Sequence, residues 1–329
     1  MCVTSGLFGF FMSLHFKVAM SQENYAQSRQ RFFTRILRQV ASEEQLTLHF
    51  FSKDWIARLS DGRRQRFVYG YQFDLNSVTA QMLAFDKAAT STLLAESGVP
   101  AVAHRLFLRP EEAGWVGDQG VWPALQAYAQ EHQFDIVAKP NRGTRGQSVY
   151  FIRTPRELEA AAHQLWALDR AFCLSPRETI ETEYRLLMLD KEPQLVYAKR
   201  IPFLEGDGKS TLADLFDGKD VPPWLDPQQV PAEGEQVPLL QKSNLSGGAM
   251  PEILLPADVP ELVAIARQAV RAIGMRFASV DIIRTADQGE KVLEINSGLV
   301  GGAFIRQAPE GYERAKAVYR AVVQKMFDR

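Results

Sequence analysis

ASVDIIRTADQGEKVLEINSG, residues 278–298, holds two apolar runs, ASVDII (278–283) and KVLEIN (291–296), around the turn-rich TADQGE. Each run has the length and β-branched content of a strand, and each carries a charged or amide side chain among apolar neighbours. Side chains alternate along a strand, so Glu294 and Asn296 share a face, and hairpin pairing would bring Asp281 beside them. Two carboxylates and an amide oxygen are hard donors of the kind Mg²⁺ takes. Charge on a partly buried floor is costly without a partner, which favours a bound cation. The competing reading is a salt-bridged, solvated strand face.

Upstream, VAKPNRGTRGQSV (137–149) ends an apolar strand on Lys139 and continues through Asn141, Arg142, Gly143, Thr144, Arg145 and Gly146. Glycines let backbone N–H groups approach a polyanion closely, and the cations neutralise it. A basic hairpin turn is the plainer alternative. A second glycine turn, LEGDGKSTLADLF (204–216), ends in Gly208-Lys209-Ser210-Thr211 like the tail of a phosphate loop. Such a loop needs a glycine five residues before Gly208, where this chain has Phe203, so that reading fails.

The 329 residues are 46% hydrophobic and carry 38 basic against 39 acidic side chains. That balance gives no bulk electrostatic reason to bind nucleic acid. Cys2 and Cys173 form neither a metal spacing nor a disulfide framework, which suits a reducing, cytoplasmic compartment. The apolar stretch at 6–14 is about half a membrane span and lacks a basic flank and a cleavage site, so it reads as an edge strand or a leader of little consequence. Met20 is a natural beginning.

An amphipathic helix is expected over 21–41, then β-like runs at 46–51 and 66–73, making residues 1–80 a small α/β unit. Asp86 opens a helix that Gly98-Val99-Pro100 closes. Helices follow at 121–132 and, behind the capping box Thr154–Glu157, to about 168. EYRLLMLDKEPQLVYAKR (183–200) reads as a hairpin, 217–250 as a functional loop, and helices are expected at 258–273 and 309–327. The pattern is α+β.

A lysine-proline-glycine loop followed far downstream by D-x₁₂-E-x-N resembles the ATP-grasp superfamily of carboxylate–amine ligases. FDKAATSTLLAESGVPAV (85–102) looks like the entry to that family's central subdomain, and ETEYRLLML (181–189) like its ribose-binding segment. KRIPFLEGDGKSTLADL with KSNLSGGAM looks like the branch containing cyanophycin synthetase and the fused glutathione-making enzymes. The resemblance covers residues 80–310. It implies two α+β subdomains gripping ATP, at 81–175 with the lid and at 176–329 with the metal site. It implies Lys87, Lys139, Arg142, Gly143, Thr144 and Gly146 on the phosphates, Glu183 on the ribose, and Mg²⁺ (or Mn²⁺) on Asp281, Glu294 and Asn296.

The chain departs from the family in two places. FCLSPRETIETEYR (172–185) lacks the usual hinge acid and glycine, so the adenine edge is expected on the backbone of Cys173 and Leu174. SGLVGGAF (297–304) replaces the usual residues after E-x-N, and no second ligase domain of the cyanophycin-synthetase kind follows. The implied reaction joins a carboxylate and an amine through an acyl phosphate. Arg200 or Arg185 would serve the tetrahedral oxyanion, Asn244 and Gly247-Gly248 would shape the substrate side, and Arg306 hints at an anionic substrate. Small amino-acid or peptide substrates are the expected partners, with a homodimer compatible and neither nucleic acid nor membrane involved. His49, His104, His132 and His163 are expected to be structural or exposed. A small-molecule kinase and a non-catalytic nucleotide-binding protein are the competing functions.

Overall fold

The computed structural model describes residues 31–112, 114, 122–143, 147–241, 243–286 and 289–328. The apolar stretch at 6–14 and the lid residues Thr144, Arg145 and Gly146 lie outside them. Helix α1 (Phe32–Glu43) turns Phe33, Ile36, Leu37 and Val40 inward at helical spacing. It covers an antiparallel sheet in chain order: β1 (Thr47–Phe51), β2 (Ile56–Ser60), β3 (Gln65–Tyr69) and β4 (Gln72–Phe73). Two capped helices follow, α2 (Val78–Phe85) behind Ser77 and α3 (Lys87–Glu96) behind Asp86, whose Oδ1 accepts from Ala89 N at 2.9 Å.

A four-stranded sheet comes next, ordered β5 (Arg105–Leu108), β8 (Ala171–Pro176), β6 (Ile136–Pro140), β7 (Tyr150–Ile152). Helices α4 (Trp122–Glu131) and α5 (Pro155–Leu168) supply its apolar cover through Leu125, Ala129, Leu158, Ala162 and Leu165. The expected Thr154–Glu157 capping box opens α5.

The largest sheet is antiparallel, ordered β13 (Met250–Leu254), β10 (Glu192–Arg200), β9 (Ile180–Leu189), β14 (Phe277–Thr285), β15 (Gly289–Ser297). Asp190 and Lys191 close the β9–β10 hairpin, both at positive φ (47° and 74°), as a two-residue turn matching strand twist requires. One sheet face, with Leu186, Met188, Val196, Val280 and Ile282, shares a core with α2, α3 and α7 (Pro260–Ile273). The opposite face starts apolar: Leu187, Leu189, Leu195, Tyr197 and Phe277 pack with α1, the β1–β4 sheet, α8 (Gly302–Gln307) and α9 (Gly311–Met326). Beyond those residues the same face becomes polar, and the candidate site lies there.

The insertion between β10 and β13 holds a two-stranded sheet, β11 (Phe203–Glu205) with β12 (Gln236–Pro238), and the short helix α6 (Leu212–Leu215). Gly206 packs so tightly that a Cβ there would lie 2.3 Å from the Ala232 carbonyl oxygen. Among the described residues no helix is long and apolar enough to cross a membrane. The α+β architecture is the expected one.

Candidate active site on the large sheet

Strand register assembles the polar row. On β14, Asp281 stands opposite Arg185 of β9 on one side and Glu294 of β15 on the other. Ser279 stands opposite Asn296, and Lys199 of β10 opposite Glu183. The hairpin expected over 278–298 therefore exists in the register that unites Asp281, Glu294 and Asn296.

At the centre is an ion cluster. Arg185 Nε donates to Asp281 Oδ1 at 2.6 Å, and its Nη2 donates to Oδ2. Lys199 Nζ donates to Asp281 Oδ2 at 3.3 Å and also to Glu183. Burial alone would raise the Asp281 carboxyl, but Arg185 and Lys199 overcome it and hold the group down to about 2. Burial raises Glu183, whose single cation is shared with the neighbouring Asp281 charge. Lys199 is held above its ordinary range because Asp281 and Glu183 outweigh its burial.

This cluster changes the part expected of Asp281. Both its oxygens face cations of the protein, so it is not an open metal ligand in this structure. The donors left open are Glu294, which has no ion-pair partner among the described residues, and the amide oxygen of Asn296. Asn296 Nδ2 donates to Glu294 Oε1 at 3.0 Å, which turns the Asn296 oxygen away from that carboxylate.

The second half of the site comes from the other sheet and α3. Lys139, at the end of β6, is 9% exposed and has no carboxylate partner among the described residues. Burial pushes its ammonium below the ordinary range against an opposing pull from Cys173; the Lys87 charge adds to the lowering, and Glu294 and Glu183 oppose it more weakly. Lys87 opens α3 and donates from Nζ to Gly143 O at 2.8 Å. Asn141 clamps the same turn, accepting from Lys87 N at 3.2 Å and, through Oδ1, from Ala88 N at 3.1 Å. Arg142 reaches Asp86 at 3.6 Å. The Asn141–Gly143 turn and the start of α3 are thus tied together.

Four expectations meet other partners in the structure. Cys173 and Leu174 lie in β8, which pairs with β5 on one edge and β6 on the other, so their backbone groups serve the sheet and cannot read an adenine edge. Arg200 points to the opposite sheet face from Lys199. There it pairs with the half-exposed Glu252 and donates to Thr182 Oγ1 at 3.2 Å, away from the oxyanion role. Asn244 caps the 3₁₀ turn Leu245–Gly247, its Oδ1 accepting from Ser246 N at 3.1 Å and Ser246 Oγ at 2.8 Å. That carbonyl belongs to the turn, which Gln307 ties to α8 by donating to Leu245 O at 3.1 Å. Arg306, expected to meet an anionic substrate, lies over the Phe32 ring.

Sequence reasoning passed over Lys199, although alternation from Tyr197 already places it on the site face and Arg200 off it. It named Asn141 only as part of the loop, not as the residue whose carbonyl and side-chain amide oxygen hold the backbone N–H groups of Lys87 and Ala88. The GDGKST turn is self-contained: Asp207 Oδ1 accepts from Lys209 N at 2.8 Å and Ser210 N at 2.7 Å. A carboxylate sits where a phosphate would have to be, and these N–H donors lower Asp207 to about 2. Thr211 and Asp214 form the expected capping box.

No family model matches the sequence. Over 281 residues the chain is 26% identical to a cyanophycin synthetase of Trichormus variabilis, covering 76% of this chain and 29% of that protein. The chain therefore spans less than a third of that relative. It is 24% identical over 269 residues to the D-alanine–D-alanine ligase of Deinococcus radiodurans, covering 79% of this chain and 68% of the ligase. The bifunctional glutathione synthetase of Pasteurella multocida shares the fold, with a TM-score of 0.50 at 17% identity over 91% of this chain and 46% of that one. The chain thus has the ATP-grasp fold and is similar in sequence to ATP-dependent carboxylate–amine ligases.

Proposed function

We propose that the protein joins a carboxylate to an amine at the expense of ATP, releasing ADP and phosphate, with amino acids or small peptides as substrates in a reducing, cytoplasmic compartment. The observation that carries this reading is the pair Lys87 and Lys139. Two ammonium groups gather beside Glu294 with no carboxylate partner among the described residues, a charge arrangement that a polyphosphate completes.

Lys87, Lys139 and the backbone near Gly143 bind and neutralise the phosphates, which lets the substrate carboxylate approach the γ-phosphoryl group. Attack forms the acyl phosphate and releases ADP. Amine attack on the acyl carbon then passes through a tetrahedral oxyanion, and release of phosphate leaves the amide. Arg185 is the cation of the polar face whose charge serves that oxyanion, since Arg200 faces away. The cluster fixes Arg185, so its charge is oriented before reaction. Glu294 and the Asn296 oxygen fit a hard divalent cation and would hold Mg²⁺. When bound, that ion neutralises charge on the transferring phosphoryl group.

The test is a screen of amino-acid pairs following phosphate release, with mass detection of products. Phosphate release that needs carboxylate and amine together, with a product lighter by one water than their sum, is expected. Phosphate transfer to a hydroxyl without any amine would show a kinase instead.

A further inference from the structure

His104 is 8% exposed, yet its Nε2 has no hydrogen-bond partner among the described residues. It lines a small cleft with Lys87, Thr90, Ser91, Val102 and Glu294, between the first turns of α3 and strand β15. Its position is fixed from two sides. Its backbone N donates to Ser91 Oγ at 3.0 Å, and the Val102 carbonyl lies beside its ring. In the tautomer with the proton on Nδ1, on the side of that carbonyl, Nε2 carries a lone pair. Burial, with Lys139 and Lys87 nearby, keeps the ring neutral well below the ordinary histidine range. A buried acceptor without a donor is costly, and two ammonium groups make the cleft a poor place for a metal on this nitrogen.

Lys87 lines the same cleft and spends one of its three N–H donors on Gly143. We infer that His104 is the positioning residue for Lys87: in the nucleotide-bound state its Nε2 accepts the second ammonium hydrogen, so that the third points at the phosphates. This rests on the ligase reading for the identity of the ligand. Gly143 then restrains Lys87 from the loop and His104 from the floor, which leaves the ammonium one free direction.

The probe is ADP with Mg²⁺, bound to the full chain and followed by calorimetry, together with the steady-state kinetics of ATP. His104→Phe should weaken ADP binding and raise KM for ATP about tenfold while kcat changes little. His104→Gln, which restores an acceptor, should recover most of the loss. In a Lys87→Met background His104→Phe should add almost nothing, because its partner is gone. A loss of equal size in both backgrounds, or no recovery with Gln, overturns the inference. A second measurement needs only the wild-type protein: the ¹⁵N resonance of the His104 Nε2 should move from a free to a hydrogen-bonded acceptor on adding ADP, and an unmoved resonance overturns the inference even if His104→Phe fails to fold. If ADP binds and the cycle is coupled but no amide forms, the ligase reading alone fails. If no nucleotide binds, both fail.

Discussion

Lys139 and Lys199 are buried to nearly the same depth, at 9% and 6% exposure, yet their ammonium groups are displaced in opposite directions. Desolvation acts on both and lowers both. Lys199 touches Asp281 and Glu183, which more than restore the charge, whereas Lys139 touches no carboxylate among the described residues. Burial therefore does not distinguish a structural lysine from a ligand-binding one; the local charge balance does. The Lys199 cluster is complete within the protein. Lys139 is left without an ion-pair partner among the described residues, and the proposed polyphosphate would supply one.

Replacing each lysine by Met separates the two roles. Lys139→Met should cut turnover about a thousandfold and abolish measurable nucleotide binding, because preorganised charge on the phosphates is lost. Its thermal stability should hold or rise, since an unpaired buried charge has been removed. Lys199→Met should do the reverse to stability, costing about 3–5 kcal/mol in denaturant unfolding by leaving Asp281 and Glu183 short of a cation. If Lys139→Met unfolds the protein while Lys199→Met does not, the assignment of roles is inverted.

Glu294 extends the contrast across the sheet, because it is the carboxylate of the row without an ion-pair partner among the described residues. Glu294→Gln keeps the size of the side chain and its bond with Asn296 but removes the charge. Turnover should fall about a hundredfold at ordinary Mg²⁺, with part recovered at high Mg²⁺. A variant as active as the wild type at ordinary Mg²⁺ would remove Glu294 from the metal site.

Asp281 gives the cluster a pH signature. Its carboxyl titrates at about 2 in the folded protein against an ordinary 3.8. As pH falls, the unfolded chain takes up the proton first, so the stability from Asp281 is present above pH 3.8 and is lost between there and about 2. Glu183 is displaced upward and offsets part of this, because its protonation favours the folded state. Acid titrations of stability should show the Asp281 limb in wild type and lack it in Asp281→Asn, which should also be less stable at neutral pH. An identical acid limb in both would mean that Arg185 and Lys199 do not hold Asp281 as the structure shows.

What the sequence discloses about this site follows from how each part is encoded. Strand alternation is local, so the shared face of Glu294 and Asn296, and the hairpin that adds Asp281, could be read directly. The parity of Lys199 and Arg200 is equally local, and overlooking it put Arg200 in a role that its face forbids. The status of Cys173 and Leu174 depends on whether β8 is an edge or a central strand, which is a property of sheet order that no single segment encodes. Asp281 as a bare metal ligand failed for a similar reason: its cations come from β9 and β10, about 80–100 residues earlier in the chain. His104 lies outside any motif, and its burial is set by contact with α3 and β15. The cores also cross sequence order, since α1 and the β1–β4 sheet share theirs with α9 at the other end of the chain.

The mildest expected effect concerns the other glycine turn with a lysine. At Gly206-Asp207-Gly208 the backbone donors of Lys209 and Ser210 already bond to Asp207, so the anion is supplied from within. The start of α3 has its own carboxylate in Asp86, but Lys87 and Lys139 have no ion-pair partner among the described residues. Asp207→Ala should therefore leave nucleotide affinity and turnover within about twofold of wild type, as expected of an exposed position away from the site. It should speed amide exchange at 209 and 210, because those N–H groups lose their acceptor. If Asp207→Ala instead made this turn a second, measurable phosphate site, then the internal carboxylate alone had been excluding the ligand. In that case the difference between the two loops would reduce to one charge rather than to the missing strand and glycine before Gly208.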